Sequence, residues 1–376
     1  MTTEPVSKKG RASRDSATPS RSEDRELTRL PEAFTLAERF VLKEEQSLAV
    51  REEKLEQQLR EHPSLANWRL DPVHTIRARN SELLEYRIGN EPAAPTILVK
   101  HILRSRSPAV AKETVTREFA ALESVRRRFN GPFLDSLPAP IALLAEVQAM
   151  VRTKLPGLSL NRILQRNANA VCGPLRRRRI GKMAHVVGVW LQHFHEGTRK
   201  PDLLHNHQVL TNELTKQLQE WKSRGFDGDL LAHVLKSATL VSKRLEGQTV
   251  PAAARHGDFI PENILLDRNS VGVVDFQNFG ECDVIYKDVS TFVTYVTIMA
   301  ARPYYDRSAL QIVLKNFLVA YDGALRHDLM TLYNLISMAT LAARTRRRRP
   351  GIAAYLGGFN LLEKQLAEYS RELLKL

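Results

Sequence analysis

The sequence predicts an α+β chain in which a small β-rich lobe precedes a larger, mainly helical lobe. Three observations carry this expectation. Short strand patterns cluster between about residues 74 and 155, helical periodicities follow one another after that, and a strand pair near residues 263–276 interrupts them. The chain has 376 residues, 43% hydrophobic and 26% charged, a globular composition long enough for a sizeable core. Its 56 Lys+Arg against 42 Asp+Glu leave a net charge of +14, which admits nucleic acid, a membrane surface or an anionic substrate as partner. Two cysteines, Cys172 and Cys282, cannot build a disulfide framework or a zinc site alone, and point to a reducing, cytoplasmic setting. No apolar run reaches the ~18–20 residues of a membrane span. The N-terminus lacks the apolar core of a signal peptide.

Taken in order, residues 1–33 are rich in Ser, Thr, Arg, Lys and Glu and read as a disordered tail. Residues 34–70 form a helical extension. Thr35 with Glu38 makes a capping box, and a helix runs to about Arg60 with Val41, Leu48 and Leu55 on one thin stripe, which fits surface docking better than a coiled coil. Residues 71–155 make the β-rich lobe: strands at Thr75–Arg79, Leu83–Ile88 and Thr96–Leu103, a helix at Ala109–Phe129, then strands at Ile141–Leu144 and Gln148–Leu155. Residues 156–376 are the helical lobe. Its helices are expected near Leu160–Arg166, Leu175–His195, Asn212–Arg224, Leu230–Leu245, Tyr286–Ala300, Ser308–Tyr321, Asp328–Arg346 and Leu361–Leu374, and its one hairpin lies within 256–276.

The chemistry concentrates in that hairpin. His256-Gly257-Asp258 is followed by Asn263 and then by Val273-Val274-Asp275-Phe276. An Asn entering one strand and an Asp leaving the next stand side by side and offer hard oxygens suited to Mg²⁺. Asp258 is left to face a hydroxyl. Phosphoryl transfer needs such a set, because its catalysis is mostly positioning and neutralisation of charge.

HGDxxxxN followed by a hydrophobic-Asp-aromatic step resembles the aminoglycoside phosphotransferase/choline kinase family, whose fold is a two-lobed relative of protein kinases. Gly280 and Tyr286-Lys287-Asp288-Val289 are similar to the family's later segment. The resemblance implies Asp258 as catalytic base, Asn263 and Asp275 as magnesium ligands, and Asp288 as a structural acid bracing the loop. Lys100, closing the strand Thr96-Ile97-Leu98-Val99-Lys100, and Glu118 on the next helix would hold the ATP phosphates as a kinase Lys–Glu pair does. Met150 to Leu160 is similar to the family's interlobe segment, so the backbone of Thr153–Leu155 would bind adenine. Leu191 to His195 resembles the family's helix ending in Leu-x-x-Leu-His. The likeness covers roughly residues 74–300.

One departure stands out. No glycine occurs between residues 71 and 88, so the first hairpin lacks a Gly-rich phosphate loop, and Asn80-Ser81 is the candidate replacement. His193 and His195 lie two apart on a helix and cannot chelate one metal together. His256 is expected to orient the loop, and His205 and His207 to be solvent-exposed without a carboxylate partner.

The basic excess collects in runs at Arg126–Arg128, Arg176–Arg179 and Arg344 with Arg346–Arg349. The first reads as a solvated helix face, the last as a surface for an anionic partner. A lobe of this charge disfavours polycationic aminoglycosides. It fits a neutral or anionic sugar, glycan or lipid head group, with peripheral contact to an anionic membrane surface at the inner membrane face. Nucleic acid is disfavoured because aromatics do not interleave the basic runs. Two functions therefore compete: an ATP- and Mg²⁺-dependent small-molecule kinase, and a non-catalytic kinase-like scaffold that binds an anionic partner through its arginine runs.

Overall fold

The computed structural model describes residues 52–375, apart from 78–80, 90, 92–93, 104–106, 170–172, 224–225, 269, 322–324 and 346–351, with the side chains of 342–362 also left aside. The tail at 1–33, most of the helix from Thr35, Asn80, Cys172 and Arg346–Arg349 lie outside these residues. The chain divides into two compact units, Met1–Gln57 and Gln58–Leu376. Of the first, only 52–57, part of helix α1 (residues 52–61), is described.

The second unit is built as expected, a β-rich half followed by a helical half. Strands β1 (Leu70–Arg77), β2 (Ser81–Ile88), β3 (Thr96–Ile102), β4 (Pro140–Leu144) and β5 (Ala149–Thr153) form an antiparallel sheet in the order β1-β2-β3-β5-β4. β3 is buried along most of its length, as its continuous apolar run requires. β1 starts earlier than the pattern predicts, at Leu70. It is an edge strand, where Pro72 removes no needed ladder bond and the register shifts between Pro72 and His74. Helix α2 (Pro108–Arg126) crosses between β3 and β4. Ser107 caps it by accepting the Val110 N–H, and a short α3 (Gly131–Asp135) follows.

The helical half holds α4 (Leu160–Asn167), α5 (Pro174–Gly197), α6 (His207–Lys222), α7 (Gly228–Arg244), α8 (Tyr286–Ala300), α9 (Arg307–Tyr321), α10 (His327–Thr345) and α11 (Ile352–Leu374). The expected single hairpin, β9 (Ile264–Asp267) with β10 (Ser270–Val273), is present and is joined by a short β6 (Leu158–Ser159). It is not the only sheet of this half. β7 (Arg199–Leu204), β8 (Thr249–Arg255) and β11 (Gly280–Val284) make another, in the order β11-β8-β7. No alternation announces these three: β7 is largely exposed and charged, and β8 is an alanine run behind Pro251. Among the described residues no helix is long and apolar enough to cross a membrane.

The core of this half is aromatic where it meets the hairpin. Trp190 stacks on Phe194 and Phe259 with ring centroids 5.4 and 5.7 Å away, and Phe292 stacks on Phe317 at 4.1 Å. Helix α5 packs closely on α9 through Gly181 and Gly188, two turns apart on one face. A Cβ at Gly188 would lie 2.4 Å from the Phe317 carbonyl oxygen, so the helices meet at this distance only with glycine there. Gly188→Ala is therefore expected to destabilise the fold by about 1–3 kcal/mol, read as a lower urea midpoint. An unchanged midpoint would mean that α9 shifts freely.

Candidate active site

β8 delivers the chain into a loop, His256 to Asn263, whose shape is fixed from below. Gly257 has φ +81°, and a Cβ there would come within 2.1 Å of the Asn278 carbonyl oxygen, so no other residue fits. Asp288, in the first turn of α8 and 1% exposed, accepts the His256 N–H at 2.7 Å and the Gly257 N–H at 2.9 Å. His195 stands 3.4 Å from the same carboxylate and 2.7 Å from the Tyr321 hydroxyl. Burial alone would raise the Asp288 pKa. Its bond to His195, the nearby His256 and the Gly257 N–H outweigh burial and hold it below the ordinary aspartate value. The His256 ring lies 3.1 Å from the Val274 carbonyl and accepts the Asp258 N–H at 3.3 Å, so it orients the loop as expected.

Asn263 closes the loop. Its side-chain amide donates to the Asp258 carbonyl at 2.9 Å and to Asp258 Oδ2 at 3.3 Å, while its own amide oxygen takes no hydrogen bond from the described residues. The β9–β10 ladder pairs Ile264 with Val273, and the Val274 N–H donates to the Asn263 carbonyl at 3.0 Å. The hairpin thus sets Asn263 and Asp275 side by side. Asp275 has φ +72°, a left-handed conformation that Asp tolerates better than most residues and that clusters at functional sites.

Lys100 reaches this group from the five-stranded sheet. Its Nζ lies 2.6 Å from Glu118 Oε2 on α2 and 2.7 Å from Asp275 Oδ1. The side chains are 8%, 1% and 27% exposed in that order, so the three charges are held largely away from water. Burial pulls the Lys100 pKa down, yet the two carboxylates outweigh it and hold it above the ordinary lysine value. In return Lys100 outweighs the burial of Asp275 and lowers that carboxyl. Glu113, earlier on the same helix, pairs with Arg117 on the helix surface.

Thr153 and Leu155 fare differently. The Thr153 N–H donates to the Ala139 carbonyl and its hydroxyl accepts the Ala139 N–H, so both are used inside the sheet. The Leu155 N–H and carbonyl take no hydrogen bond from the described residues. Beside Lys100 the sequence reading overlooked Arg152, a buried cation directly after the run Ala149-Met150-Val151. Its signal was plain: a lone charge in an otherwise apolar strand.

Several surrounding expectations are corrected. His205 is buried and bonds Ser242 Oγ at 2.8 Å, while His207 has a carboxylate partner, Glu246, at 3.0 Å. Arg126 is not merely solvated. Its guanidinium donates to the carbonyls of Leu134 and Leu137 at 2.9 and 2.5 Å, and Arg128 pairs with Glu281 of β11. In the second run Arg177 is spent on Asp306 at 2.7 Å, whereas Arg176, Arg178 and Arg179 are exposed without an ion pair among the described residues. Arg166, Arg179 and Arg268 line a pocket of about 190 Å³ floored by Leu158, Ile163 and Leu266.

A sheet-borne lysine bridging a helix glutamate and a hairpin aspartate, above a braced Asp–Asn loop, defines a two-lobed, protein-kinase-like phosphotransferase. The sequence matches the phosphotransferase enzyme family (APH) over residues 76–308, more than half of the chain, and the protein belongs to that family. It is similar in fold to a glucosamine kinase solved with glucosamine, ADP and inorganic phosphate, at 16% identity and TM-score 0.52 over 84% of this chain and 98% of that one. A choline/ethanolamine kinase family protein from Mesorhizobium loti is similar at 14% identity and TM-score 0.52, over 86% and 98% of the two chains. A choline kinase from Cryptosporidium parvum Iowa II matches at 12% identity and TM-score 0.52, over 86% and 96%. No curated protein matches the chain in sequence.

Asp288→Asn keeps one acceptor oxygen but sets an amide NH₂ against the other of the two backbone N–H groups, and is expected to destabilise the protein by about 1–3 kcal/mol at neutral pH. Because the folded pKa is depressed, this contribution is fully present above the ordinary value of 3.8 and is lost as pH falls below it. Urea midpoints of wild type and variant should therefore converge below that pH. A gap that stays constant would show that the Asp288 charge is immaterial.

Proposed function

We propose that the chain is an ATP- and Mg²⁺-dependent kinase that moves the γ-phosphate to a hydroxyl of a small molecule. The observation that carries this is the Lys100 ammonium bound at once to Glu118 and to Asp275, beside a loop that presents Asp258. In this assignment Lys100, held by Glu118, orients the nucleotide's phosphates, and the backbone at Leu155 receives the base. The donor set fits a magnesium ion. The amide oxygen of Asn263 and the Asp275 carboxylate are hard oxygens on adjacent positions of one hairpin, and Mg²⁺ ordinarily shares such a pair with phosphates and water. When bound, the ion neutralises phosphate charge. Asp258 orients the acceptor hydroxyl and takes its proton as the new P–O bond forms and the bond to the nucleoside diphosphate breaks.

For the acceptor we infer a neutral or anionic sugar, glycan or lipid head group rather than an aminoglycoside. The unpaired arginines of α4, α5 and the hairpin tip support this, and they would equally serve peripheral contact with an anionic membrane surface at the inner membrane face. The same arginines keep the scaffold reading as the second one, and turnover separates the two.

Asp258→Asn is expected to lower kcat by about 10²–10⁴-fold while nucleotide still binds, and Asp275→Ala to abolish Mg²⁺-dependent stabilisation by ATP in a thermal-shift titration. ADP release should be screened over sugars, sugar phosphates, amino alcohols and lipid head groups. Nucleotide binding without turnover on any acceptor would favour the scaffold, and preferential phosphorylation of kanamycin-type substrates would sink the charge argument.

A further inference from the structure

The nucleotide site holds a second cation that the roles above do not use. The β3–β5 ladder pairs Lys100 with Met150 and Leu98 with Arg152. Paired residues share a face of the sheet, and so do residues two apart on one strand. Arg152 therefore projects from the same face as Lys100, the face from which Lys100 reaches Asp275. It also sits three residues before Leu155, whose backbone receives the base in the assignment above. A nucleotide stretched from Leu155 to Lys100 passes Arg152.

The side chain is only 5% exposed, yet among the described residues its Nε and Nη1 have no hydrogen-bond partner, and neither does Glu118 Oε1. Among the described residues no carboxylate lies close enough to Arg152 to form an ion pair. Burial pulls its pKa down, while Glu118 and Asp275, the two carboxylates that hold Lys100, oppose that pull. A buried guanidinium with idle donors costs far more than the methionine or leucine that would suit this apolar strand. Stability does not explain its presence.

Charge does. Lys100 and Arg152 stand against Glu118 and Asp275, so the four groups taken together are neutral. Once Asp275 is engaged by a divalent cation, the remaining three groups carry a net positive charge beside the phosphates; without Arg152 they would carry none. Low local polarity lets that charge act over several ångströms. The first hairpin, with no glycine between residues 71 and 88, disfavours close backbone approach to a phosphate, which makes an added cation useful.

We propose that Arg152 is an extra buried cation of the nucleotide site, which strengthens binding through the phosphates rather than through the base. This rests on the nucleotide reading given above. The test is calorimetric titration of the full-length protein with ATP, ADP and adenosine, with and without MgCl₂, in wild type, Arg152→Met and Arg152→Lys. Arg152→Met should keep or raise the thermal midpoint and weaken ATP about tenfold or more, ADP less, and adenosine by under about twofold, with Arg152→Lys recovering part of the loss. Should the Met variant not fold, Arg152→Gln removes the same charge and carries the same test. Equal ATP affinity in wild type and variant, or a loss as large for adenosine as for ATP, overturns the role of Arg152 and leaves the kinase reading standing. A wild type that binds none of the three nucleotides overturns both.

Discussion

One ammonium group organises this protein. Lys100 leaves a five-stranded sheet, meets a carboxylate on helix α2 and another beyond the β9–β10 hairpin, and none of the three groups has much water to fall back on. A buried charge left alone is costly, so the sheet, the helix and the hairpin must be in register to within hydrogen-bond distance. That demand accounts for the near-complete burial of Glu118 and for the left-handed backbone at Asp275. Such a cluster contributes little to stability compared with apolar packing of the same volume. Its retention points to chemistry.

Beneath it a second constraint shapes the loop. Asp288 gathers the backbone N–H groups of His256 and Gly257, is itself steadied by His195, and His195 by Tyr321. The aromatic layer of Trp190, Phe259 and Phe276 excludes water from this tier. Asp258 is therefore presented by a loop held by hydrogen bonds on both sides of it. The two tiers meet at Asn263, which ties Asp258 to the hairpin that also carries Asp275.

Much of this was legible because the chemistry restricts residue types. Helix α8 has the bounds its periodicity predicts, and Lys100 and Glu118 pair as the strand-then-helix order implied. What escaped had no pattern to offer. β7 is a charged edge strand and β8 an alanine run, so neither alternates. His205 looked like a loop histidine, yet a hydrogen bond to Ser242, thirty-seven residues away, makes its burial tolerable. Arg152 was readable as a lone charge among apolar residues, but its meaning depends on which face of β5 it occupies and on carboxylates far off in sequence. Thr153 shows the opposite limit: nothing in the sequence tells that its N–H is already taken by the Ala139 carbonyl.

The Lys100–Asp275 bond also has a bearing on synthesis, since its partners lie 175 residues apart. The five-stranded sheet and α2 all lie between Leu70 and Thr153, whereas this contact waits for the much later hairpin to leave the ribosome. Until Asp275 arrives, Lys100 and Glu118 face each other without the third charge. A nascent or truncated chain can thus hold the residues of the sheet and still lack the third member of the cluster. The cluster is complete only once the hairpin has docked and brought Asp275 to Lys100.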